Sequence, residues 1–273
     1  VDRTRQRYPS VRVVRSSEKI GCSPAKHRGA CAAQGEILLF LDAHCKPEPG
    51  AIDRLVAAVK ATRGRAVIVP TVSILDPVTW QNNFDRVGQG YRVDLLQLAW
   101  EWIPPQQLTR RGPYLESPSL IGCCVMVARA LYERLGGFDQ DMLVWGVEDV
   151  EFGVKSWLTG HPVLCEPRAV IGHRFQDGFI NYRVDNEYIV ANRLRMACKI
   201  FGSELWPPWL DRFRSRHDPE LWQKAWAIFC ERRGSAEQER CRLRQLRIHD
   251  EFSYAAKFGL IWPRRPLRVR ERK

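Results

Sequence analysis

The stretch Glu36-Ile37-Leu38-Leu39-Phe40-Leu41-Asp42-Ala43-His44-Cys45 constrains the fold of this chain more than any other. It opens as a continuous apolar run, the pattern of a strand buried on both faces of a parallel sheet, and ends abruptly in Asp-x-His. In extended backbone, residues two apart point to the same face, so Asp42 and His44 project together. At the carboxyl end of a parallel strand they stand over the crevice where open α/β sheets bind ligands. A carboxylate oxygen beside an imidazole nitrogen suits Mn²⁺ or a similar divalent ion. The plain alternative is a strand end with a helix-capping Asp and a surface His.

The surrounding pattern is that of an α/β chain. Residues 11–14, Val-Arg-Val-Val, read as a short β-branched strand, and 23–35 as a helix. Ser23-Pro24 supplies an N-cap and a first-turn Pro, and Gly35 sits where a C-terminal Gly belongs. With the Asp42 strand next, this predicts a βαβ unit. Residues 49–62 predict a helix with Ile52, Leu55, Val56 and Val59 on one face, and 66–72 a buried strand. Residues 76–115 lack clean periodicity and read as a loop-and-hairpin excursion over the site. Residues 119–128 predict a strand, 130–135 a short helix closed by Gly136-Gly137, and 148–159 a helix ended by Gly160. Two short strands, 163–166 and 169–173, follow. From Asn181 the spacing is helical.

The chain has 273 residues, enough for one large α/β domain with an appended segment. No apolar stretch approaches the roughly 18 residues of a membrane span. The N-terminus is polar, without a signal peptide, and starts with Val rather than Met, so a leading segment is read as lost. The formal charge of +12 favours an anionic partner: nucleotide, nucleic acid or acidic membrane surface. Arg-rich runs at 212–216 and 263–268 carry much of it. A solvated basic face explains most of this charge, and with no recognised binding motif beside it, specific nucleic-acid binding is not expected. The nine cysteines are odd in number and form no CxxC pair. Buried free thiols fit better than a disulfide framework or a zinc site, which points to a reducing compartment. Cytoplasmic placement, peripheral to a membrane surface, is the expectation.

Three clusters can converge: Asp42 with His44, Glu148 with Asp149, and His173. Each has a bland reading. Glu148 and Asp149 open a helix, where carboxylates suit the macrodipole, and His173 reads equally as an ordinary strand-end His.

In order and spacing these segments resemble the polypeptide N-acetylgalactosaminyltransferases, metal-dependent enzymes of the GT-A nucleotide-sugar fold. The likeness is carried by Val11-Arg12-Val13-Val14-Arg15, by Gly29-Ala30 and by Phe40-Leu41-Asp42-Ala43-His44-Cys45. It continues through Leu98 to Pro105, Ser117-Pro118-Ser119-Leu120-Ile121-Gly122-Cys123 and Trp145-Gly146-Val147-Glu148-Asp149. Gly172-His173-Arg174-Phe175 and the run from Leu243 to Tyr254 complete it.

The resemblance implies an α/β GT-A core with a Rossmann-like mixed sheet over residues 1–185, and a helical, basic extension over 186–273 packed on it. It implies that Asp42, His44 and His173 ligate Mn²⁺, which bridges the diphosphate of a UDP-sugar and neutralises charge on the leaving UDP. Glu148 would hold the donor sugar or acceptor hydroxyl, Trp145 would pack by the sugar, and Gly122, with Cys123 beside it, would let backbone approach the donor. Lys26 and Arg28 are candidates for diphosphate or sugar contacts, or else a solvated helix face. Asp177 and Tyr182 would lie on a lid after His173. The implied reaction transfers N-acetylgalactosamine or another N-acetylhexosamine to a hydroxyl of a protein, a glycan or a lipid-linked saccharide. Several positions depart from the family: Lys46 replaces its Glu, Val147 its second Gly, and Asp149 its Asn. A Glu-Asp pair also resembles inverting family 2 glycosyltransferases, in which the Asp is the general base, so stereochemistry stays open. By the resemblance, the strand–helix–strand that opens a GT-A domain would precede residue 1, and the family's lectin domain is not expected within these residues. The alternative from another class is a non-catalytic remnant, a basic module binding acidic lipid or nucleic acid.

Overall fold

The computed structural model describes residues 6–175, 184–260 and 262. In chain order the elements are α1 (Cys22–Ala32), β1 (Ile37–Leu41), β2 (Cys45–Pro47), α2 (Ala51–Ala61), β3 (Val67–Leu75) and β4 (Asn82–Gly88). Then come β5 (Tyr91–Asp94), β6 (Ala99–Trp102), β7 (Thr109–Arg111), β8 (Tyr114–Ser117), β9 (Cys124–Ala128) and α3 (Arg129–Arg134). The chain closes with α4 (Glu148–Leu158), β10 (Val163–His173), α5 (Asn186–Ile200), α6 (Trp206–Arg214), α7 (Pro219–Leu246) and α8 (Glu251–Lys257).

The main sheet runs β1-β9-β3-β10-β8-β7, with β2 also on β10 and β4 also on β3; β5 and β6 form a separate hairpin. β3 and β10 are parallel, while β9 is antiparallel to both β1 and β3. β1, β3 and β10 therefore point the same way, and their carboxyl ends share one rim of the sheet. Asp42 and His44 follow β1, and His173 ends β10, so this rim collects the expected donors.

Several expectations change. β1 is an edge strand with one antiparallel partner, not the centre of a parallel sheet. Its apolar run is explained by different cover on its two faces. Leu38 and Phe40 enter a core with Val125, Tyr132 and Phe138, while Ile37 and Leu39 lean on the cluster around Leu55 and Ile68. Residues 11–14 join no ladder among the described residues, and Val11, Val13 and Val14 are exposed. β-Branched residues favour extended backbone but make a strand only against a partner. The opening is thus helix–strand rather than βαβ. α1 starts one residue early, on Gly21, and Ser23 does not cap it: its hydroxyl donates to the Asp139 carbonyl at 2.5 Å. Residues 119–123 precede β9 rather than belonging to it. The two predicted strands after Gly160 fuse into β10, with a register shift between Glu166 and Val170. Pro167, which has no N–H to give a ladder, sits in that irregularity.

The helices beyond residue 185 share a core with the α/β part. Trp209, Phe213 and Phe229 are buried together with Val154 and Leu158 of α4 and with Leu95 and Leu98. The Trp209 indole donates to the Leu95 carbonyl at 2.9 Å, and the Tyr254 hydroxyl to Pro118 at 2.8 Å. Among the described residues no helix is long and apolar enough to cross a membrane.

Candidate active site

Asp42 is set by its backbone: its N–H donates to the Cys123 carbonyl at 2.9 Å, extending the β1–β9 ladder by one step. The Cys45 N–H then closes a turn onto the Asp42 carbonyl, and the Arg174 N–H donates to the His44 carbonyl. These bonds bring three donor atoms together. His173 Nε2 lies 2.9 Å from His44 Nε2 and 3.7 Å from Asp42 Oδ2, and His44 Nε2 lies 3.9 Å from the same oxygen. Two donors at right angles on an ion with bonds of about 2.1 Å lie about 3 Å apart; the His44–His173 edge has that spacing, and a small inward turn of the Asp42 carboxylate would close the two longer edges around one cation. Burial, and then the His173 ring, lower the pKa of His44. That favours the neutral imidazole a metal requires. Phe175 meets the His173 ring edge-on at 4.3 Å, and Trp102 backs Phe175 at 6.0 Å. The aromatic excursion thus supports His173 from behind.

A second group lies beside the triangle. Lys26 Nζ donates to Glu148 Oε1 at 3.2 Å and to the Gly122 carbonyl at 3.1 Å. Asp149 accepts the Gly122 N–H at 2.9 Å and the Val150 N–H at 2.7 Å. Lys26, Gly122, Glu148 and Asp149 therefore form one closed polar knot. A Cβ on Gly122 would stand 2.9 Å from Lys26 Nζ and 3.1 Å from the Asp149 Cβ, so any larger residue here would push Lys26 out of the knot. Burial opposes the Lys26 charge, but Glu148 more than offsets it and holds the ammonium well above its usual range. Burial and the neighbouring Glu148 charge push the Asp149 carboxyl up to about 6, against the pull of Lys26 and the two amides.

The Trp145 loop covers this knot. Trp145 is 42% exposed, and Gly146 donates its N–H to Glu148 Oε2 at 3.2 Å. Val144 and Val147 have φ of 54° and 60°, a left-handed conformation that β-branched residues rarely adopt. Such strain collects at functional sites. Asn192 of α5, buried, holds the loop. Its amide donates to the carbonyls of Leu143, Trp145 and Gly146, and its oxygen accepts the Leu143 N–H at 2.9 Å.

The structure thus gathers Asp42, His44, His173, Lys26, Gly122, Glu148 and Asp149, with Trp145 exposed on the loop tied to Glu148 through Gly146. Arg28 is not among them: it is exposed on the other side of α1, 3.2 Å from Ser16 Oγ, in a cleft of about 550 Å³ with Arg12 and Arg15. The Cys123 side chain is buried, and the residue serves the site through its carbonyl. Asp177 and Tyr182 lie outside the described residues. Asn192 was missed by sequence reasoning, because a polar residue inside an otherwise apolar helix face is the only signal it gives. A cleft of about 470 Å³ leads from Asp42 and Lys26 along β1 and α1 and shares Ala25, Gly29 and Ala33 with the arginine-lined one.

Comparison with known proteins agrees with this geometry. The family model for glycosyl transferase family 2 matches residues 1–136, and that for the N-terminal domain of galactosyltransferase matches 106–173. A solved structure of GalNAc-T7 with UDP, GalNAc and Mn²⁺ superposes with a TM-score of 0.65 at 21% identity, over 85% of this chain and 45% of that one. Fold and family models define the class: a glycosyltransferase-family chain with a GT-A fold. Within that class it is polypeptide N-acetylgalactosaminyltransferase-like. Human polypeptide N-acetylgalactosaminyltransferase 15 is 29% identical over 78% of this chain, and mouse polypeptide N-acetylgalactosaminyltransferase 6 is 30% identical over 90%. The chain spans 33% and 39% of those relatives' lengths.

Proposed function

We propose that this chain carries the catalytic centre of a Mn²⁺-dependent transferase moving N-acetylgalactosamine from a UDP donor to an acceptor hydroxyl. The observation that carries the reading is the triangle of Asp42 Oδ2, His44 Nε2 and His173 Nε2, with edges of 2.9–3.9 Å, beside the Lys26–Glu148 pair. The names of the relatives support the sugar, and the GalNAc-T7 complex, which holds UDP, GalNAc and Mn²⁺, supports the donor and ion.

Asp42, His44 and His173 hold the ion, which when bound offsets the negative charge that develops on the departing diphosphate. Lys26 holds Glu148 in place through their ion pair, so that its carboxylate orients a donor hydroxyl near the reacting carbon. Trp145, exposed on the loop whose Gly146 N–H meets Glu148, would pack by the sugar. Both Asp149 oxygens accept backbone amides, so Asp149 positions the Gly122 turn.

Thermal stabilisation by UDP, with and without Mn²⁺, tests this reading. A ligand that binds the native state must raise its apparent stability, by about 2.7 kcal/mol at a hundredfold excess over Kd. The expected result is a UDP shift that requires Mn²⁺ and is lost in His44→Ala. A His44→Ala protein that keeps the Mn²⁺-dependent shift would sink the metal assignment.

A further inference from the structure

His173 faces two donor sets. Its Nε2 points at Asp42 and His44, while its Nδ1 is buried without a hydrogen-bond partner among the described residues. Across the antiparallel β2–β10 pair, His173 is directly opposite Cys45, so the two side chains project to one face. Cys123 reaches the same spot from the turn before β9, where its carbonyl accepts the Cys45 thiol at 3.5 Å. One donor atom from each of Cys45, Cys123 and His173 lies within 4.8 Å of the others. Both thiols are free.

We propose that Cys45, Cys123 and His173 form a second metal site, selective for soft divalent ions of the Zn²⁺ and Cd²⁺ class, which competes with Mn²⁺ for the His173 imidazole. Two thiolates and one imidazole, with water in the fourth position, make a tetrahedral set that Zn²⁺ accepts. Mn²⁺ prefers oxygen and nitrogen donors and stands well below Zn²⁺ in affinity for a shared site. Binding is a plain exchange of two protons for one ion: each thiol releases its proton as its sulfur–metal bond forms. Neutral imidazole offers one lone pair, because its other nitrogen carries the proton. His173 therefore serves one ion at a time, and an ion held by the thiols withdraws it from the Asp42–His44 set. Cys45 is half-buried beside that rim, which gives the ion an entry path.

The competition rests on the Mn²⁺ reading above; the soft site itself does not. Titration of the whole chain with Co²⁺ tests the soft site. Wild type should give a thiolate-to-cobalt charge-transfer band and strengthened tetrahedral d–d bands that saturate stoichiometrically and vanish when Zn²⁺ is added. Cys123→Ser and Cys45→Ser should each lose them. His44→Ala and Cys31→Ser, which leave the three donors in place, should keep them. Bands that persist in both Cys123→Ser and Cys45→Ser, or that disappear in His44→Ala, would overturn the site. The paramagnetic resonance of free Mn²⁺ tests the competition. One equivalent of Cd²⁺, which prefers the thiolates to the oxygen and nitrogen donors of the Asp42 set, should weaken Mn²⁺ binding at least about tenfold in wild type, within the usual range of coupling between sites, and weaken it far less in Cys45→Ser. Mn²⁺ binding that responds equally to one equivalent of Cd²⁺ in wild type and Cys45→Ser would overturn the shared imidazole, while the cobalt spectra decide the soft site independently.

Discussion

At the scale of single residues, the centre depends on how one buried cation divides itself between two carboxylates. Lys26 touches Glu148 directly and Asp149 only through Gly122, and the pKa directions follow this order: the ammonium is held up chiefly by Glu148, while Asp149 is left with a raised carboxyl. Lys26→Met removes the cation and leaves two carboxylates facing each other out of water. The expected cost is about 3 kcal/mol, the low end for breaking a buried pair because the ammonium keeps some solvent access. Denaturant melts at pH 5 and pH 8 check it: the deficit should be larger at pH 8, where both carboxylates would have to ionise. An equal deficit at both would mean that Lys26 contributes packing alone. The donor triad was legible from the order and spacing of the segments that carry the family resemblance, not from strand alternation: residues 42–44 form a turn after β1, closed by the Cys45 N–H on the Asp42 carbonyl. The knot was not. Whether Lys26 turns inward, and whether Asp149 faces the cleft or the Gly122 amide, depends on turns whose φ values no spacing rule reports, including left-handed Val144 and Val147.

At the scale of elements, the start of α1 and the Trp145 loop are built against each other. The Cys22 N–H donates to the Val144 carbonyl at 2.9 Å, and Gly21, at φ 84°, would place a Cβ 2.7 Å from the Val144 nitrogen. Backbone is the obstacle, so no rotamer change can relieve it. Gly21→Ala should therefore combine the left-handed penalty of about 1–2 kcal/mol with a steric shift of the loop. Expected are a lower melting temperature and weakened UDP-sugar turnover; an unchanged melting temperature would show that the two segments are free to separate. Asn192→Ala tests the other side of the loop. It leaves the Leu143 amide and several carbonyls without their partner, at about 1–3 kcal/mol, and should raise amide exchange across residues 143–146 before it affects β1 or β3. The elements themselves were largely legible: α2, α4 and the apolar β1 and β3 runs follow from periodicity and end signals. The misreadings were about neighbours. β1 is apolar yet at an edge, the β-branched residues 11–14 pair with nothing described, and β10 absorbs a proline without breaking, because each outcome is decided by segments far away in the chain.

At the scale of the whole molecule, the α/β part and the helical block are joined by buried charge as well as by the Trp209 core. Asp139, just after the Gly136-Gly137 turn, accepts from Arg195 at 2.8 Å and from Lys199 at 2.5 Å, and Lys199 also pairs with Glu151 at 2.7 Å, one turn along α4 from Glu148. Arg195 extends the network to the Arg232 carbonyl and Ser235 of α7, and to Asp141. No sequence pattern announces this, since Lys199 and Arg195 look like ordinary helix-surface cations until α7 covers them. The helix that presents Glu148 is thus locked to α5 and α7 by the same charges that fasten the two halves together. Burial alone would raise the Asp139 carboxyl, but Lys199 and Arg195 outweigh it and hold it well below the usual carboxylate range. A carboxyl depressed in the folded state contributes stability that is fully present above its unfolded value, about 3.9, and is lost as pH falls through the folded one. Wild type should therefore lose stability steeply below about pH 4. Asp139→Asn keeps the shape but removes the carboxylate that two buried cations share, leaving Lys199 to Glu151 and Arg195 to Asp141, so it should be less stable at neutral pH by about 3 kcal/mol, the low end for breaking a buried pair. The gap should narrow on acidification, because the variant has no Asp139 proton to take up. Paired denaturation curves between pH 3 and 7 would show it, and a gap that stays constant across that range would mean the network acts by packing rather than by charge.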